Sequence, residues 1–254
     1  MNQPPYISVI TCALNSGPTI RETIESIRSQ NFNDFEHVVC DGGSQDKTVD
    51  ILKEYSGSYN LKWTSEQDLG IADALNKGLR NASGKFIVVI QADDVFLASD
   101  SLLYVYSFLQ HEEYDLYSFP VLFDKPGQSF KLRKPIRHLW YNRFKFIFPH
   151  QGCFVRRGLF DEIGGFNKSF KIAMDYDFFY RALKYNCSVQ FGEKPVALMG
   201  GAGIGSISET VPHRLWEERM VQAINEDNKV WRTAQKIFWR LYMPYKKKQL
   251  RKSY

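Results

Sequence analysis

Residues Phe86–Asp94 read FIVVIQADD, a run of five apolar residues followed by a short polar turn with two adjacent aspartates. An apolar residue at every position is typical of a parallel β-strand that is covered by helices on both faces. In doubly wound sheets, ligands bind in the crevice beyond the carboxyl ends of such strands. The run therefore predicts a parallel sheet and places Asp93 and Asp94 at the edge where a functional site would lie.

Three more pairs of strand and helix precede this strand. Each strand is a short apolar run, and each helix carries apolar residues at intervals typical of one buried face. Four β–α units in succession indicate an α/β fold, with a mostly parallel central sheet flanked by helices and joined by right-handed crossovers. The predicted strands are Tyr6–Ile10, Phe35–Cys40 and Leu61–Trp63, and the predicted helix faces are Ile20, Ile24 and Ile27, then Val49, Leu52 and Tyr55, then Ile71, Leu75 and Leu79.

The second half of the chain is less regular. A hairpin is predicted from Leu116–Phe123 to Ser129–Leu132, because the turn residues Asp124–Gly127 separate two apolar runs. The glycine-rich segment Gly200–Gly205 is followed by no β–α–β pattern, so we expect an active-site flap or a plain loop there. Further predicted elements are helices at Ser99–Gln110 and Asp175–Lys184 and a strand over Ser188–Leu198.

The composition is that of an ordinary globular protein. With 254 residues, 44% of them hydrophobic and 24% charged, the chain can bury a large core, and disordered or low-complexity classes are excluded. Its four cysteines include no Cys-x-x-Cys pair, so neither a zinc site nor a disulfide scaffold is predicted. Residues Met1–Ser8 lack the pattern of a signal peptide, and no apolar run approaches the ~20 residues that cross a bilayer. We therefore expect a cytoplasmic protein.

The last 27 residues differ from the rest. Residues 228–254 contain nine Lys or Arg residues and no Asp or Glu, although the net charge of the whole chain is only +5. They predict a basic amphipathic helix that binds an anionic membrane surface, and the alternative is a solvated helix packed on its own domain. No recognition motif accompanies the basic residues, so no nucleic-acid partner is expected. The apolar residues of this predicted helix are Ile237, Phe238, Trp239, Leu241, Tyr242 and Met243.

Carboxylates follow the predicted strands at several points. No GxGxxG follows the first strand and the chain contains no P-loop, so the usual dinucleotide and ATP motifs are missing. Asp41, Asp68 and the pair Asp93–Asp94 stand at or after strand ends instead. Mg²⁺ and Mn²⁺ commonly take one or two carboxylates together with diphosphate oxygens, so the pair predicts such a site. The alternative is that these aspartates are ordinary turn residues.

Several motifs occur in a fixed order, and together they resemble the family 2 glycosyltransferases of the GT-A fold, as found in bacterial surface-polysaccharide (O-antigen, capsule, exopolysaccharide) assembly. The resemblance spans roughly residues 5 to 210, and it depends on the ordered set rather than on any single motif. The segments are Thr11-x-Ala13-x-Asn15, DGGSQDKT at 41–48, DLGIADALNKG at 68–78, Ala92-Asp93-Asp94, His150-Gln151, FVRR at 154–157 and AMDYD at 173–177.

The resemblance implies a nucleotide-sugar site and a metal site. Asp41 would accept a hydrogen bond from the base imide, which favours a UDP-sugar, and Lys77 would lie near the phosphates. Asp93 and Asp94 would hold Mn²⁺ or Mg²⁺, although Gln91 stands where many relatives carry another aspartate. The residues implied to bind the nucleotide sugar are Thr11, Ala13, Asn15, Asp41, Asp68, Gly70, Asp73, Asn76, Ala92 and Asp93.

The resemblance also implies a general base. Asp175 would take the proton from an acceptor hydroxyl, and the alternative is an ordinary helix-capping aspartate. Asp177 would be structural. His150 and Gln151 would contact the acceptor or the diphosphate, although a lone histidine is as often a core residue. Asp73 has a similar alternative, an ion pair on its own helix.

These expectations combine into one hypothesis. Residues 1–227 would form a GT-A domain, with a nucleotide-sugar half at 1–98 and an acceptor half at 99–227, followed by a basic tail at 228–254. The enzyme would be an inverting glycosyltransferase that acts on a lipid-linked or oligosaccharide acceptor at the inner face of the cell membrane. The alternative is a non-catalytic partner that binds sugar nucleotides or glycans within an assembly complex.

Overall fold

Two β-sheets and eight α-helices make up the described part of the computed structural model, which covers residues 3–124, 129–201 and 210–251. In chain order the strands are β1 (Ile7–Ala13), β2 (Phe35–Asp41), β3 (Leu61–Ser65), β4 (Phe86–Val89), β5 (Val95–Phe96), β6 (Leu116–Ser118), β7 (Val121–Phe123), β8 (Lys131–Arg133), β9 (Cys153–Arg156), β10 (Val189–Phe191) and β11 (Ala197–Met199). The helices are α1 (Ile20–Arg28), α2 (Thr48–Tyr55), α3 (Ile71–Asn81), α4 (Ser101–Leu109), α5 (Arg157–Ile163), α6 (Met174–Lys184), α7 (Val211–Asn225) and α8 (Lys229–Arg251).

The larger sheet has seven strands in the order β10-β6-β9-β4-β1-β2-β3. Its first-half strands pair in parallel as predicted, and β9 is the one strand that runs antiparallel to both of its neighbours, β4 and β6. Strands β1 and β2 are buried almost throughout, and the predicted helix face of Ile20, Ile24 and Ile27 is fully buried. The prediction of a mostly parallel α/β sheet flanked by helices is confirmed.

The smaller sheet corrects two predictions for the second half. The predicted strand Leu116–Phe123 is broken at Phe119 and Pro120, so β6 joins the larger sheet whereas β7 joins the smaller one, whose order is β5-β11-β7-β8. The predicted strand Ser188–Leu198 is broken in the same way into β10 and β11. Proline has no N–H to donate to a ladder, and each break contains one, Pro120 or Pro195. The predicted hairpin pairing is present between β7 and β8, and its turn residues 125–127 lie outside the described residues.

The C-terminal helix α8 packs on the protein through one side. The Trp239 indole is buried and donates a hydrogen bond of 2.6 Å to the side-chain oxygen of Gln222 on α7. Gln222 in turn donates to the hydroxyl of Tyr176 on α6, at 2.9 Å. The predicted apolar side is therefore divided, since Ile237 and Leu241 are 57% and 71% exposed. Its other members pack around Val211 and Leu215 of α7, and these are Phe238, Trp239, Tyr242 and Met243.

No helix in the described ranges is both long and apolar enough to cross a membrane.

A buried glutamate stabilises the edge of the sheet opposite to the strand ends that carry the predicted site. The Glu36 carboxylate on β2 is fully buried and accepts hydrogen bonds from the hydroxyls of Ser8, at 2.6 Å, and Ser83, at 2.9 Å. It also accepts from the backbone N–H of Gly84 and forms an ion pair with Lys62. Burial alone would raise the pKa of Glu36, but the hydrogen bonds from Lys62, Ser8 and Ser83 lower this pKa below its ordinary value.

Replacing Glu36→Gln should lower the free energy of unfolding at pH 7 by about 1–3 kcal/mol, because buried donors lose their charged acceptor. The folded-state pKa of Glu36 is depressed, so its contribution is complete above the ordinary glutamate pKa and is lost as the pH falls through the lower value. Urea unfolding at pH 7 and at pH values below 4 measures both effects. The control is Glu54→Gln, which removes a half-exposed pair with Arg21 and should change the free energy by less than about 0.5 kcal/mol. Equal effects of the two variants would contradict the expectation.

Candidate active site

The carboxyl ends of the parallel strands meet at one edge of the larger sheet. Ala13 at the end of β1 lies beside Asp41 at the end of β2, which lies beside Ser65 at the end of β3. Strand β9 runs antiparallel to β4, so the short helical turn His150–Gly152 that precedes β9 lies where β4 ends and residues 91–94 begin. The sheet therefore brings most of the predicted site residues to one edge.

Asp41 organises the loop that follows β2. Its carboxylate is buried and accepts from the backbone N–H groups of Gly43, at 3.1 Å, and Ser44, at 3.0 Å. The hydroxyls of Ser44 and Ser65 donate to the same carboxylate. Gly43 has a φ of +85°, a conformation that disfavours any side chain. A ligand that bonds to Asp41 therefore has to compete with these hydroxyl donors.

Asn15 and Asp68 border this same loop. The side-chain oxygen of Asn15 accepts from the N–H of Gln45 at 2.9 Å. A Cβ added to Gly42 would lie 2.4 Å from a carboxylate oxygen of Asp68, so Asp68 packs directly against the loop. Asp68 also accepts from the N–H of Gly70 at 2.8 Å, immediately before α3. Ala13, Asn15, Asp41, Asp68 and Gly70 thus lie around the loop that follows β2.

Three residues that were predicted to bind the nucleotide sugar bond to other residues of the protein instead. The Thr11 side chain is fully buried and donates to the carbonyl of Ile90 at 2.7 Å, so it is not exposed to a ligand. Asn76 bonds to both the N–H and the carbonyl of Phe166, at 2.9 and 2.8 Å. Asp73 pairs with Lys168 at 2.8 Å and, more weakly, with Lys77 at 3.9 Å, and the Lys168 contact holds the pKa of Asp73 below its ordinary value. Asp73 and Asn76 therefore fasten α3 to the connection that leads into α6.

The two adjacent aspartates have different environments. Asp94 is 1% exposed, and its carboxylate accepts from the N–H groups of Gly200, at 2.8 Å, and Gln91, at 3.2 Å, and from the Gln151 amide at 3.1 Å. Asp93 is only partly buried, next to the buried Ala92, and no other residue in the described part of the chain donates to its side chain. Within the described part of the chain, Asp93 is thus the one of the pair whose carboxylate accepts from no other residue.

Negative charge accumulates around these aspartates. Burial raises the pKa of Asp94 to about 6, with a further contribution from the charge of Asp93, and burial also raises the pKa of Asp93. His150 approaches Asp175 with 3.5 Å between Nδ1 and a carboxylate oxygen. Burial lowers the pKa of His150, but Asp175, and then Asp94 and Asp93, raise it by more, so its pKa lies above the ordinary value. The charges of three carboxylates therefore act on one imidazole.

Buried polar atoms at this cluster lack partners. The Nε2 atom of His150 and the Oε1 atom of Gln151 are buried, and neither has a hydrogen-bond partner among the described residues. Such atoms are rare in folded proteins, because burying them unpaired costs free energy. Together with the carboxylate of Asp93, to which no described residue donates, they are polar groups at this edge whose partners are not among the described residues.

The carboxylates of Asp93 and Asp94 fit a divalent metal only if a bound ligand supplies the rest of its coordination shell. No group of three or more His, Cys, Asp or Glu side chains within residues 3–124, 129–201 and 210–251 could hold a metal ion by itself. Mg²⁺ and Mn²⁺ often take one or two carboxylates and complete their shell with substrate phosphates and water. Asp93 and Asp94 supply hard oxygens at an edge with excess negative charge, which matches such a shared site.

Asp175 lies near the beginning of α6 with a side chain that is 24% exposed. One of its carboxylate oxygens accepts from the N–H of Tyr176 at 2.7 Å, and the other faces His150. Asp177, two residues on, is buried and pairs with Arg181 and Asn225. Of the two aspartates of α6, Asp175 is the one that a substrate can reach.

Sequence reasoning missed three contacts at this site. Lys168 bonds to Asp73, and Glu217 on α7 accepts from the backbone N–H of Ala173, just before α6. Nothing in the sequence distinguishes Glu217 from its neighbour Glu218. Gly200 donates to Asp94, and residues 202–205 of the predicted flap or loop lie outside the described residues. The glycine-rich run was the only sequence signal for any of these contacts.

Comparisons of the sequence with known proteins agree on one family. The family model described as "Glycosyl transferase family 2" matches residues 8–171. A curated relative, the "PGL/p-HBAD biosynthesis glycosyltransferase" of Mycobacterium bovis, is 30% identical over 223 residues, which cover 85% of this chain and 84% of the relative. A protein described as an uncharacterized glycosyltransferase of Mycobacterium tuberculosis is 32% identical over 190 residues, or 72% of this chain and 70% of that protein.

Solved structures share the fold. The structure of S. aureus TarS 1-349 in complex with UDP-GlcNAc aligns with a TM-score of 0.68 at 20% identity, covering 88% of this chain and 68% of that one. The mannosyltransferase PcManGT from Pyrobaculum calidifontis, in complex with GDP-Man and Mn²⁺, aligns with a TM-score of 0.66 at 20% identity, covering 89% and 66%. The central sheet and its flanking helices are those of the GT-A transferases. By its family model, its relatives and its fold, the chain belongs to glycosyltransferase family 2.

Proposed function

We propose that this glycosyltransferase moves a sugar from a nucleotide-diphosphate donor, preferentially a UDP-sugar, to an acceptor hydroxyl with inversion at the anomeric carbon. The observation that carries the proposal is the approach of His150 to Asp175, with 3.5 Å between Nδ1 and a carboxylate oxygen, at the edge of the sheet where residues 91–94 follow β4. Asp175 is partly exposed there, and Asp93, to whose side chain no described residue donates, can share a metal with a diphosphate. Family membership favours such an enzyme over the non-catalytic binding partner.

Asp175 acts as the general base. Its carboxylate takes the proton of the acceptor hydroxyl as that oxygen attacks the anomeric carbon from the side opposite the leaving diphosphate. The N–H of Tyr176, in the first turn of α6, donates to one oxygen of this carboxylate. His150, 3.5 Å away, restrains the orientation of Asp175. A single in-line displacement of this kind inverts the anomeric configuration.

The donor occupies the segment around the loop after β2. Asn15, Asp41 and Asp68 offer polar atoms to the base and ribose, and Lys77 lies on the same side of α3 as Asp73. Asp93 is the main protein ligand for Mn²⁺ or Mg²⁺, while Asp94 holds Gln151 and the Gly200 backbone in place. When bound, the metal neutralises charge on the diphosphate. The structural relative that contains GDP-Man and Mn²⁺ supports this choice of cofactor.

The acceptor contacts His150 and Gln151. The side chain of His150, which is 24% exposed, can bond to sugar hydroxyls or diphosphate oxygens. The acceptor is a lipid-linked or oligosaccharide glycan of surface-polysaccharide assembly. In this scheme residues 1–98 bind the donor, residues 99–227 bind the acceptor, and residues 228–254 attach the enzyme to the membrane.

The outer side of α8 supports attachment to the inner face of the cell membrane. Val230, Ile237, Leu241 and Tyr245 are all exposed, and their spacing of seven, four and four residues puts them on one side of the helix. The basic residues nearby are also exposed, as expected for a helix that lies on an anionic surface. They are Lys229, Lys236 and Arg240.

Metal binding should depend on Asp93 far more than on Asp94. For the wild type, we expect UDP with Mn²⁺ to raise the melting temperature more than UDP alone, since a ligand at 100 times its Kd adds about 2.7 kcal/mol. The variant Asp93→Asn should keep the UDP shift and lose the Mn²⁺ increment. The variant Asp94→Asn should melt at a lower temperature but keep the increment, because its carboxylate serves protein donors. If Asp94→Asn instead lost the Mn²⁺ increment and Asp93→Asn kept it, Asp94 would be the metal ligand.

The variant Asp175→Asn should lower the rate of UDP release by about 10²–10⁴-fold, because it removes the general base. Its thermal shift with donor and Mn²⁺ should match that of the wild type. A panel of UDP-sugars and GDP-mannose first identifies the donor by the same shift. Asp177→Asn is the control, since Asp177 lies two residues after Asp175 and its replacement breaks a buried pair with Arg181, which should lower stability without abolishing turnover. Normal turnover by the Asp175 variant would remove that residue from the base role.

Binding to vesicles should depend on the exposed side of α8. A variant with Ile237→Gln and Leu241→Gln should lose most of its co-sedimentation with vesicles that contain 30% phosphatidylglycerol. Leu103→Gln on α4, which removes a similarly exposed leucine, is the control and should bind as the wild type does. Wild-type binding should weaken with added salt and on pure phosphatidylcholine. Equal binding by all three proteins would contradict the membrane role of α8.

A further inference from the structure

We propose that Glu217 is a positioning residue for the reaction, because its carboxylate fixes the backbone from which α6 and Asp175 begin. This inference rests on the proposed role of Asp175 as the base. Glu217 belongs to α7, more than 40 residues further along the chain than Asp175, and it does not touch Asp175 itself. Its effect would be exerted through the main chain.

The contacts of Glu217 are unusually complete for one carboxylate. The side chain is 1% exposed, and its two oxygens accept from the consecutive backbone N–H groups of Lys171, at 2.8 Å, Ile172, at 2.8 Å, and Ala173, at 2.7 Å. His213, one turn earlier on α7, lies 3.0 Å from one of the same oxygens. Consecutive amides that converge on an anion form a strong binding arrangement, and hydrogen bonds to a charged acceptor are stronger than neutral ones.

Helix α6 has no cap of its own. Its N-cap residue is Ala173, which has no side chain that can bond to the first-turn amides. The carbonyl of Ala173 accepts the first helical hydrogen bond, from the N–H of Asp177 at 3.0 Å. By holding the N–H of Ala173, Glu217 fixes the residue on which the helix starts, two positions before Asp175.

The same connection is also tied to the donor side of the molecule. Phe166 is bonded to Asn76 through both its N–H and its carbonyl, and Lys168 is paired with Asp73, so α3 holds the early part of the connection. Glu217 holds the late part, which enters α6. The base is therefore located by α3 from one direction and by α7 from the other. Because a misplacement of about 1 Å can reduce a rate by roughly 10²-fold, loosening either tie should affect catalysis.

Glu218 offers a matched control. It is the next residue on α7, is also buried, and forms ion pairs with Lys145 and with Arg214, the latter at 3.8 Å. None of its described contacts involves residues 171–173. Replacing Glu218→Gln thus removes a buried carboxylate from the same helix without touching the connection that leads to the base.

The experiment compares Glu217→Gln with Glu218→Gln in the full-length protein. Glutamine keeps the size of the side chain but replaces one acceptor oxygen by a donor that faces backbone N–H groups. We expect amide hydrogen exchange in a peptide covering residues 170–178 to become at least about tenfold faster in Glu217→Gln and to stay as in the wild type in Glu218→Gln. Donor hydrolysis with Mn²⁺ is measured as UDP release from the donor that the thermal-shift panel selects. In Glu217→Gln the kcat of this reaction should fall about 10–100-fold, and in Glu218→Gln it should stay as in the wild type. The KM for the donor should change by less than about twofold.

A double-mutant cycle tests whether Glu217 acts through Asp175. In the Asp175→Asn background, Glu217→Gln should cause little further loss of kcat, because the base that it positions is already removed. A full loss in that background, or a raised KM with unchanged kcat, would overturn the proposal. Identical exchange and kcat in the two glutamine variants would overturn it as well.

Two results separate this inference from the proposed function. Normal kcat in Asp175→Asn would overturn the base assignment, and the role of Glu217 with it, whereas normal kcat in Glu217→Gln alone overturns only the present proposal. If Glu217→Gln does not fold, Glu217→Asp replaces it, since a shorter carboxylate keeps the charge but cannot reach all three N–H groups. Wild-type kcat in a folded Glu217→Asp whose 170–178 exchange is accelerated would also overturn the inference.

Discussion

Buried carboxylates that accept hydrogen bonds from backbone amides hold the loops of this protein in place. Asp41 does so for the loop after β2, Asp94 for Gln91 and Gly200, and Glu217 for residues 171–173. Glu36 does the same for Ser83 and Gly84 at the opposite edge of the sheet. Loop amides have no ladder or helix partner, so when they are buried they need an acceptor, and a charged acceptor provides roughly 1.5–3 kcal/mol for each bond. Three of these four carboxylates surround the candidate site.

The acidic residues of the site therefore fall into two groups. Some accept hydrogen bonds or ion pairs from other residues, and others have a carboxylate that could bind a ligand. Asp94 and Asp93 are neighbours of identical chemistry, yet the first has three protein donors and the second has none among the described residues. Asp177 and Asp175 form a similar pair on α6, where one is locked to Arg181 and the other is partly exposed. The two members of each pair therefore have different roles. Asp94 and Asp177 bond to other residues and hold the backbone in place, and this backbone orients Asp93 and Asp175.

The sequence predicted the first half of the fold well, since β1 and β4 are largely apolar runs and each helix has one apolar face. It predicted the second half poorly, because the strands there are only three residues long. The chain passes from the larger to the smaller sheet at Pro120, between β6 and β7, and again at Pro195, between β10 and β11. The positions of the strand ends predicted which residues lie at the site, but they did not predict the roles of Asn76 and Asp73. Their partners lie about ninety residues away, at Phe166 and Lys168, and no local pattern reveals such a contact. Helix α8 had apolar residues on two sides, and only packing shows that Trp239 belongs to the inner one.

The hydrogen bonds that begin at Trp239 have a consequence for how the chain can be shortened. Trp239 donates to Gln222, Gln222 donates to the hydroxyl of Tyr176, and Tyr176 is the residue directly after Asp175. A truncation before residue 239 would leave the buried oxygen of Gln222 without its donor and would uncover Val211 and Leu215. The C-terminal helix is therefore part of the folded body as well as a candidate anchor. A variant without the exposed apolar residues of α8 is better made by replacing those residues than by removing the helix.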